Sequence, residues 1–266
     1  ASLGQAICTD PRVRKISFTG SAEVGEQICR LAGLKRVTME LGSNSPVIVL
    51  DDADPEKVAA TIAVTGFASA GQVCISSQRI LATPKIHDDL LDALTTNISQ
   101  LTAGDQLAEG TNVGPLVREA DARRVEEWLG QARAQGAQLL CGGDREGSVV
   151  QPAVLANVNR DMRMSCDELF GPAVGVTRAD SIDDAIRLAN DTRYGLSASI
   201  FTQDIDKAIR FAREVDSGNL HINFGTAWRA ETMPYGGLKD SGMGKEGPRY
   251  AVEEMSETKM VVIHGK

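Results

Sequence analysis

From Arg14 onward the chain alternates short β-branched runs with segments whose apolar residues recur every three or four positions, and this alternation most constrains its fold. Residues 14–18, 36–41, 46–50, 79–82, 137–141, 152–155, 173–177, 197–201 and 219–223 read as strands. Residues 22–32, with Val24, Ile28 and Leu31 on one face, and residues 86–101, 119–135, 182–190 and 205–215 read as helices. A further helix at 56–69 has a capping aspartate and a first-turn proline in Asp54-Pro55. Its small apolar residues face nearly every direction, which predicts a helix buried inside a domain. Strand and helix in turn imply parallel strands joined by crossovers, with helices on both faces of the sheet. The expected class is α/β.

Composition narrows the function. With 266 residues, 42% hydrophobic and 24% charged, the chain can bury one large core or a domain and a half. A formal net charge of −8 without a basic cluster repels a phosphate backbone, so no nucleic-acid partner is expected. No apolar run reaches the ~18 residues that would span a bilayer, so no membrane partner is expected either. Five cysteines, odd in number and without a C-x-x-C, argue against a disulfide framework or zinc site and for a reducing, cytoplasmic setting. The three histidines have no metal-ligand spacing, and no metal is expected.

Four stretches carry unusual local chemistry. In GFASAGQVCISSQR, residues 66–79, turn-forming Gly71-Gln72 and polar Ser76-Ser77-Gln78 flank Cys74, which places the sulfur in an open loop. Such a thiol is either a small buried hydrophobe or a nucleophile, and this stretch leaves both open. Phe18-Thr19-Gly20-Ser21 is a strand-to-helix turn that can either cap a helix or seat a phosphate on backbone N–H groups. Met39-Glu40-Leu41-Gly42 puts a carboxylate within an apolar run, where burial would raise its pKa toward that of a general base. Asp167-Glu168-Leu169-Phe170-Gly171-Pro172 offers a carboxylate suited to a ribose diol and a flat ring suited to a planar heterocycle, with plain surface charge as the alternative.

Together with YGLSASIFT at 194–202 and MPYGGLKDSGMGKEG at 233–247, these stretches resemble the aldehyde dehydrogenase superfamily, in order and in register over nearly the whole chain. The resemblance implies an aldehyde dehydrogenase-like α/β fold of parallel-stranded sheets covered by helices. Residues 1–42 would be the remainder of a dinucleotide-binding domain and 43–243 a catalytic domain. Residues 244–266 would be a return segment ending in an oligomerisation strand at 259–264, giving a homodimer or homotetramer. It implies NAD or NADP as cofactor and an aldehyde as substrate, with Cys74 as the nucleophile and Glu40 as the base that activates water. Gly20 and Ser21 would meet the pyrophosphate, Glu168 the nicotinamide ribose and Phe170 the nicotinamide, with Leu41 also on the cofactor side.

Asn223, Trp228 and Arg229 would face the substrate, Arg229 favouring a small anionic aldehyde. The pattern is similar to the lactaldehyde, glyceraldehyde-3-phosphate and succinate-semialdehyde branches, although Ala68, where some succinate-semialdehyde members have arginine, counts against the last. Two mild departures are Ser43, where a second glycine is common, and Asp167, where glutamate is common. Family members are much longer. The further part is expected before Ala1, so this chain alone is expected to bind cofactor weakly and turn over poorly. Alternatives are a non-catalytic fragment on the same scaffold, or a coenzyme A-acylating enzyme, against which Glu40 argues.

Overall fold

The computed structural model describes residues 2–265. After α1 (Ser2–Thr9), a small βαβ unit is formed by β1 (Lys15–Thr19), α2 (Ala22–Ala32) and β2 (Arg36–Glu40). The main body begins with β3 (Pro46–Val49), α3 (Pro55–Thr65), a 3-10 turn (Ala68–Gly71), β4 (Arg79–Ala82) and α4 (His87–Ser99). It continues with α5 (Glu119–Ala134), β5 (Gln138–Cys141), a hairpin of β6 (Arg145–Glu146) and β7 (Val149–Val150), then β8 (Ala153–Ala156) and α6 (Arg163–Cys166). Next come β9 (Ala173–Arg178), α7 (Ile182–Asn190), β10 (Tyr194–Gly195), β11 (Ser197–Phe201), α8 (Ile205–Glu214) and β12 (Asn219–Ile222). The last elements are β13 (Leu238–Lys239), β14 (Gly242–Met243) and α9 (Pro248–Met255).

A seven-stranded sheet in the order β12-β11-β3-β4-β9-β8-β5 forms the centre. Its strands run parallel from β12 through β8. The edge strand β5 departs from the all-parallel expectation by running antiparallel to β8. An edge needs no crossover helix, so either direction can be accommodated there. Helices cover both faces, as the alternation implies. Val47 and Val49 of β3 pack with α3 and α4 through Val58, Ile62, Leu90 and Leu94. Ile48 points the other way, into Ile186 of α7 and Phe211 of α8. The two-residue period of a strand thus feeds two separate cores.

The helix α3 differs from expectation in two ways. Ala60 and Val64 face solvent, Val64 being 68% exposed, so the helix is buried on one face rather than all round. It also stops at Thr65: Gly66 caps it, and Ser69, Ala70 and Gly71 all take positive φ (51°, 57° and 71°), which turns the chain back. Asp54 accepts from the N–H groups of Glu56 and Lys57, as the cap pattern predicts.

A second, smaller sheet sets β1 parallel to β2, with the short β14 antiparallel on the far side of β2. Ala22, Ala32 and Ile28 of α2 cover it against Ile16, Met39 and Leu41. Beyond α9, residues 256–265 run exposed and pair with no strand among the described residues. The carboxyl ends of β1 and β2 meet the loops that lead into β4 and β9 of the large sheet, and a cavity lies between them. No helix among the described residues is long and apolar enough to cross a membrane.

Candidate active site

The cavity measures about 740 Å³, and its lining includes Gly20, Ser21, Glu40, Leu41, Cys74, Glu168 and Phe170. These seven residues come from four separate stretches of sequence, and the fold brings them all together. Backbone and side-chain hydrogen bonds hold the Cys74 loop there. Ser77 N–H donates to Thr65 O (3.1 Å), Ser76 Oγ to Gly66 O (3.0 Å) and Thr226 Oγ1 to Ile75 O (2.7 Å). Buried Gln78 then ties the loop to the Glu168 turn: its Nε2 donates to Met164 O (2.8 Å) and Asp167 O (2.9 Å), and its Oε1 accepts from Leu169 N–H (2.9 Å).

Cys74 is half-buried, and its sulfur lies 3.3 Å from the Tyr235 hydroxyl. Burial pushes the thiol up, the Tyr235 hydrogen bond pulls it back, and the Glu168 and Glu40 carboxyls push it up again. Glu40 ends β2 and is 5% exposed, and neither of its carboxyl oxygens has a hydrogen-bond partner among the described residues. Burial, aided by Glu246 and opposed by Lys245 and Arg229, pushes it up to about 8. A buried, orphaned carboxyl of that basicity, on a residue that lines the same cavity as a thiol, has the proton affinity of a general base.

Glu168 accepts the Ser43 N–H at 3.0 Å and is pushed up to about 7, chiefly by burial. Gly42 leaves room for that carboxyl, because a Cβ there would lie 2.2 Å from Glu168 Oε2 and would displace it. Phe170 is held at φ 47° and 39% exposed, which presents its ring to the cavity. A hydrogen-bonding carboxylate, a flat ring and an apolar Leu41 wall suit the nicotinamide end of a dinucleotide. The glycine-serine turn is partly committed elsewhere: Gly20 N–H donates to Glu40 O (3.1 Å), and the Ser21 hydroxyl caps α2 by accepting from Val24 N–H (3.4 Å). Any phosphate there would rest on the Ser21 side and the open start of α2.

The three residues expected to face the substrate lie outside this cavity's lining. Asn223, at φ 57°, commits its amide to the backbone of Thr202, accepting from its N–H and donating to its oxygen (both 2.9 Å). Trp228 is 51% exposed and packs edge-on to His221 in a separate shallow groove. Arg229 is not a free cation: its Nη1 pairs with Glu246 (2.8 Å), and its guanidinium stacks on the Tyr235 ring, 4.3 Å from the centroid.

Sequence reasoning missed Tyr235 as a contact of Cys74, although the MPYGG stretch holds it in plain view. It also missed Arg124, Trp128 and Arg163, which line the cavity with both guanidinium groups against the indole (5.1 and 4.4 Å from the centroid). The four-residue spacing of Arg124 and Trp128 on a helix was the available signal. No histidine is among the described lining residues, which leaves a cysteine-hydrolase arrangement without its base. The five thiols are free, and the described residues contain no group of three or more side chains placed to hold a metal.

Fold and site together define a two-sheet α/β scaffold that presents a cysteine and two perturbed carboxyls to a dinucleotide-sized cavity. The model of the aldehyde dehydrogenase family matches residues 1–261, and the chain belongs to that family. It is 44% identical over 264 residues to the 3-sulfolactaldehyde dehydrogenase of Priestia aryabhattai, covering 99% of this chain and 55% of that protein. A lactaldehyde dehydrogenase of Methanococcus aeolicus is 38% identical over 99% of this chain and 57% of its own length. The crystal structure of the glyceraldehyde-3-phosphate dehydrogenase GapN from Methanocaldococcus jannaschii, complexed with NADP, superposes with a TM-score of 0.93. It is 40% identical, over 96% of this chain and 56% of that one. The chain therefore spans about half the length of the relatives it matches.

Proposed function

We propose that the site oxidises a small hydroxy-aldehyde to its carboxylic acid with NAD or NADP, in a cytosol-like compartment. The observation that carries this is the pairing of Cys74 with a buried, unpartnered Glu40 at one cavity. The Cys74 sulfur attacks the carbonyl carbon, and the new C–S bond leaves a thiohemiacetal whose oxyanion is held in part by the Cys74 backbone N–H. Bound NAD(P) would accept the hydride that converts this adduct to a thioester. Glu40 then takes a proton from water, the resulting hydroxide attacks the thioester, and breakage of the C–S bond releases the acid and returns the thiol. Glu168 and Phe170 would hold and orient the nicotinamide end, and Ser21 the pyrophosphate.

The similarity to sulfolactaldehyde and lactaldehyde dehydrogenases supports a three-carbon 2-hydroxy-aldehyde, and Arg229 beside the Tyr235 ring supports an anionic one. Ion pairing with Glu246 tempers that cation. Transfer of the thioester to coenzyme A is the weaker reading, because Glu40 would activate competing water. Residues 259–264, exposed and β-branched, are proposed to pair with a second copy in a dimer or tetramer.

The test is a panel of 2-hydroxy-aldehydes with and without an anionic group, assayed with NAD and with NADP, using Cys74→Ala as the blank. Aldehyde-dependent reduction of cofactor that disappears in Cys74→Ala supports the reading; turnover that survives the substitution sinks it.

A further inference from the structure

Tyr235 lies 161 residues from Cys74 in sequence, yet its hydroxyl is the group hydrogen-bonded to the sulfur. The tyrosine is 3% exposed, and its surroundings hold it on every side. Its N–H donates to Met233 O (2.9 Å), its carbonyl accepts Glu246 N–H (2.7 Å), and its side chain packs with Ile75 and Leu196. Arg229 lies over the ring at 4.3 Å and is itself anchored on Glu246 at 2.8 Å. We propose that the Tyr235 hydroxyl donates a hydrogen bond to the Cys74 thiolate and is a catalytic group of the site, with Arg229 behind its ring as the positioning residue. This rests on Cys74 being the nucleophile and goes one step further, to what makes the thiolate accessible.

First, a buried hydroxyl needs a partner, and among the described residues Cys74 provides it, so the ring, its backbone clamp and the sulfur form one unit. Second, burial and the neighbouring Cys74 charge push the phenol well above its ordinary range, so it stays protonated wherever the thiol ionises and can act only as a donor toward the thiolate. Third, the groups facing the sulfur are otherwise unhelpful to it: Glu168 and Glu40 oppose its ionisation, and burial opposes it most. The charges of Lys245 and Arg229 act on the Glu40 carboxyl, holding it down against burial. A charge-assisted hydrogen bond from Tyr235, which reaches the sulfur from outside the cavity lining, is thus the chief side-chain contribution toward the thiolate among the described residues. A cation stacked on the ring draws electron density from the phenol and strengthens it as a donor.

The experiment reads the thiol itself. On the full chain, the rate of iodoacetamide alkylation at Cys74 is followed against pH by peptide mass spectrometry, with exposed Cys166 in the same samples as the internal reference. Tyr235→Phe keeps the ring and its packing. It is expected to raise the Cys74 midpoint by about one pH unit and to slow alkylation at fixed neutral pH about tenfold, while the Cys166 midpoint stays put. Arg229→Met is expected to shift the Cys74 midpoint in the same direction by less. A Cys74 midpoint that is unchanged in Tyr235→Phe overturns the proposal, and so does a shift shared equally by Cys166. Because the readout is titration of the sulfur, it holds whether or not Cys74 carries turnover, which the Cys74→Ala assay decides separately.

Discussion

The large and small sheets follow the same strand-then-helix pattern but are finished differently. In the seven-stranded sheet, β3, β4, β8 and β11 are buried along their whole length, with helices above and below. In the three-stranded sheet, β1 buries only Ile16 and β2 only its last three residues, and α2 leaves Val24 and Leu31 partly in solvent. Cys74, Glu168 and Phe170 are held by loops anchored on the first sheet; Glu40, Leu41 and Ser21 ride on the second. One half of the site is thus mounted on a closely packed platform, the other on a smaller sheet that α2 packs on one face and α9 meets on the other through polar contacts of Glu254 with Lys15 and Thr38. Substitutions in the platform should register in stability, and those in the small sheet and its turn chiefly in chemistry and cofactor affinity.

The largest effect is expected at the core of the platform. Phe211→Ala, at a side chain with no exposed surface, should lower unfolding free energy by about 3–5 kcal/mol in chemical denaturation. Leu31→Ala on α2 should stay within about 0.5 kcal/mol. Equal losses would break the contrast between the sheets. Glu40→Gln comes next, with turnover falling about a hundredfold or more and little change in melting temperature. The sign of its pH dependence follows from the carboxyl being pushed up to about 8. A general base works ionised, so the wild-type rate of thioester hydrolysis should fall as pH drops below about 8, and kcat of Glu40→Gln should lose that limb.

Gly42→Ala sharpens the comparison at the seam between the halves. The added methyl would displace the end of Glu168, a flexible side chain, so the fold should tolerate it while the NAD(P) dissociation constant rises about tenfold, roughly 1.4 kcal/mol, in a fluorescence titration. Arg229→Ala should have the smallest effect, raising KM for anionic aldehydes about fivefold over neutral ones, because Glu246 already offsets much of the charge. An unchanged ratio would end the case for an anionic substrate.

Much of this was legible in the chain because the relevant signals are local. The ends of α2, α7 and β11 fall at the residues that periodicity and capping indicate, and Asp54-Pro55 starts α3 as its chemistry requires. Cys74, Glu40, Glu168 and Phe170 stood out because a thiol between turns, a carboxylate in an apolar run and an aromatic before Gly-Pro are each unusual within a few residues. The motif position of Asn223 says nothing of where its amide points, which the Thr202 backbone decides. The solvent face of α3 was misread for a related reason, since small apolar residues tolerate either environment. The reversed direction of β5 had no local mark at all.

The sequence by itself determined the main strands and helices, their order and the identity of the candidate reactive groups, since backbone periodicity, caps and side-chain chemistry are set within a few bonds. Only the tertiary structure decided what those groups can do. Burial and the charges around it raise Glu40 into the range of a base, and the fold carries the Tyr235 hydroxyl to 3.3 Å from Cys74. Proton affinity and hydrogen bonding depend on the loss of water and on neighbours far along the chain, and those exist only once the two sheets have closed on the cavity.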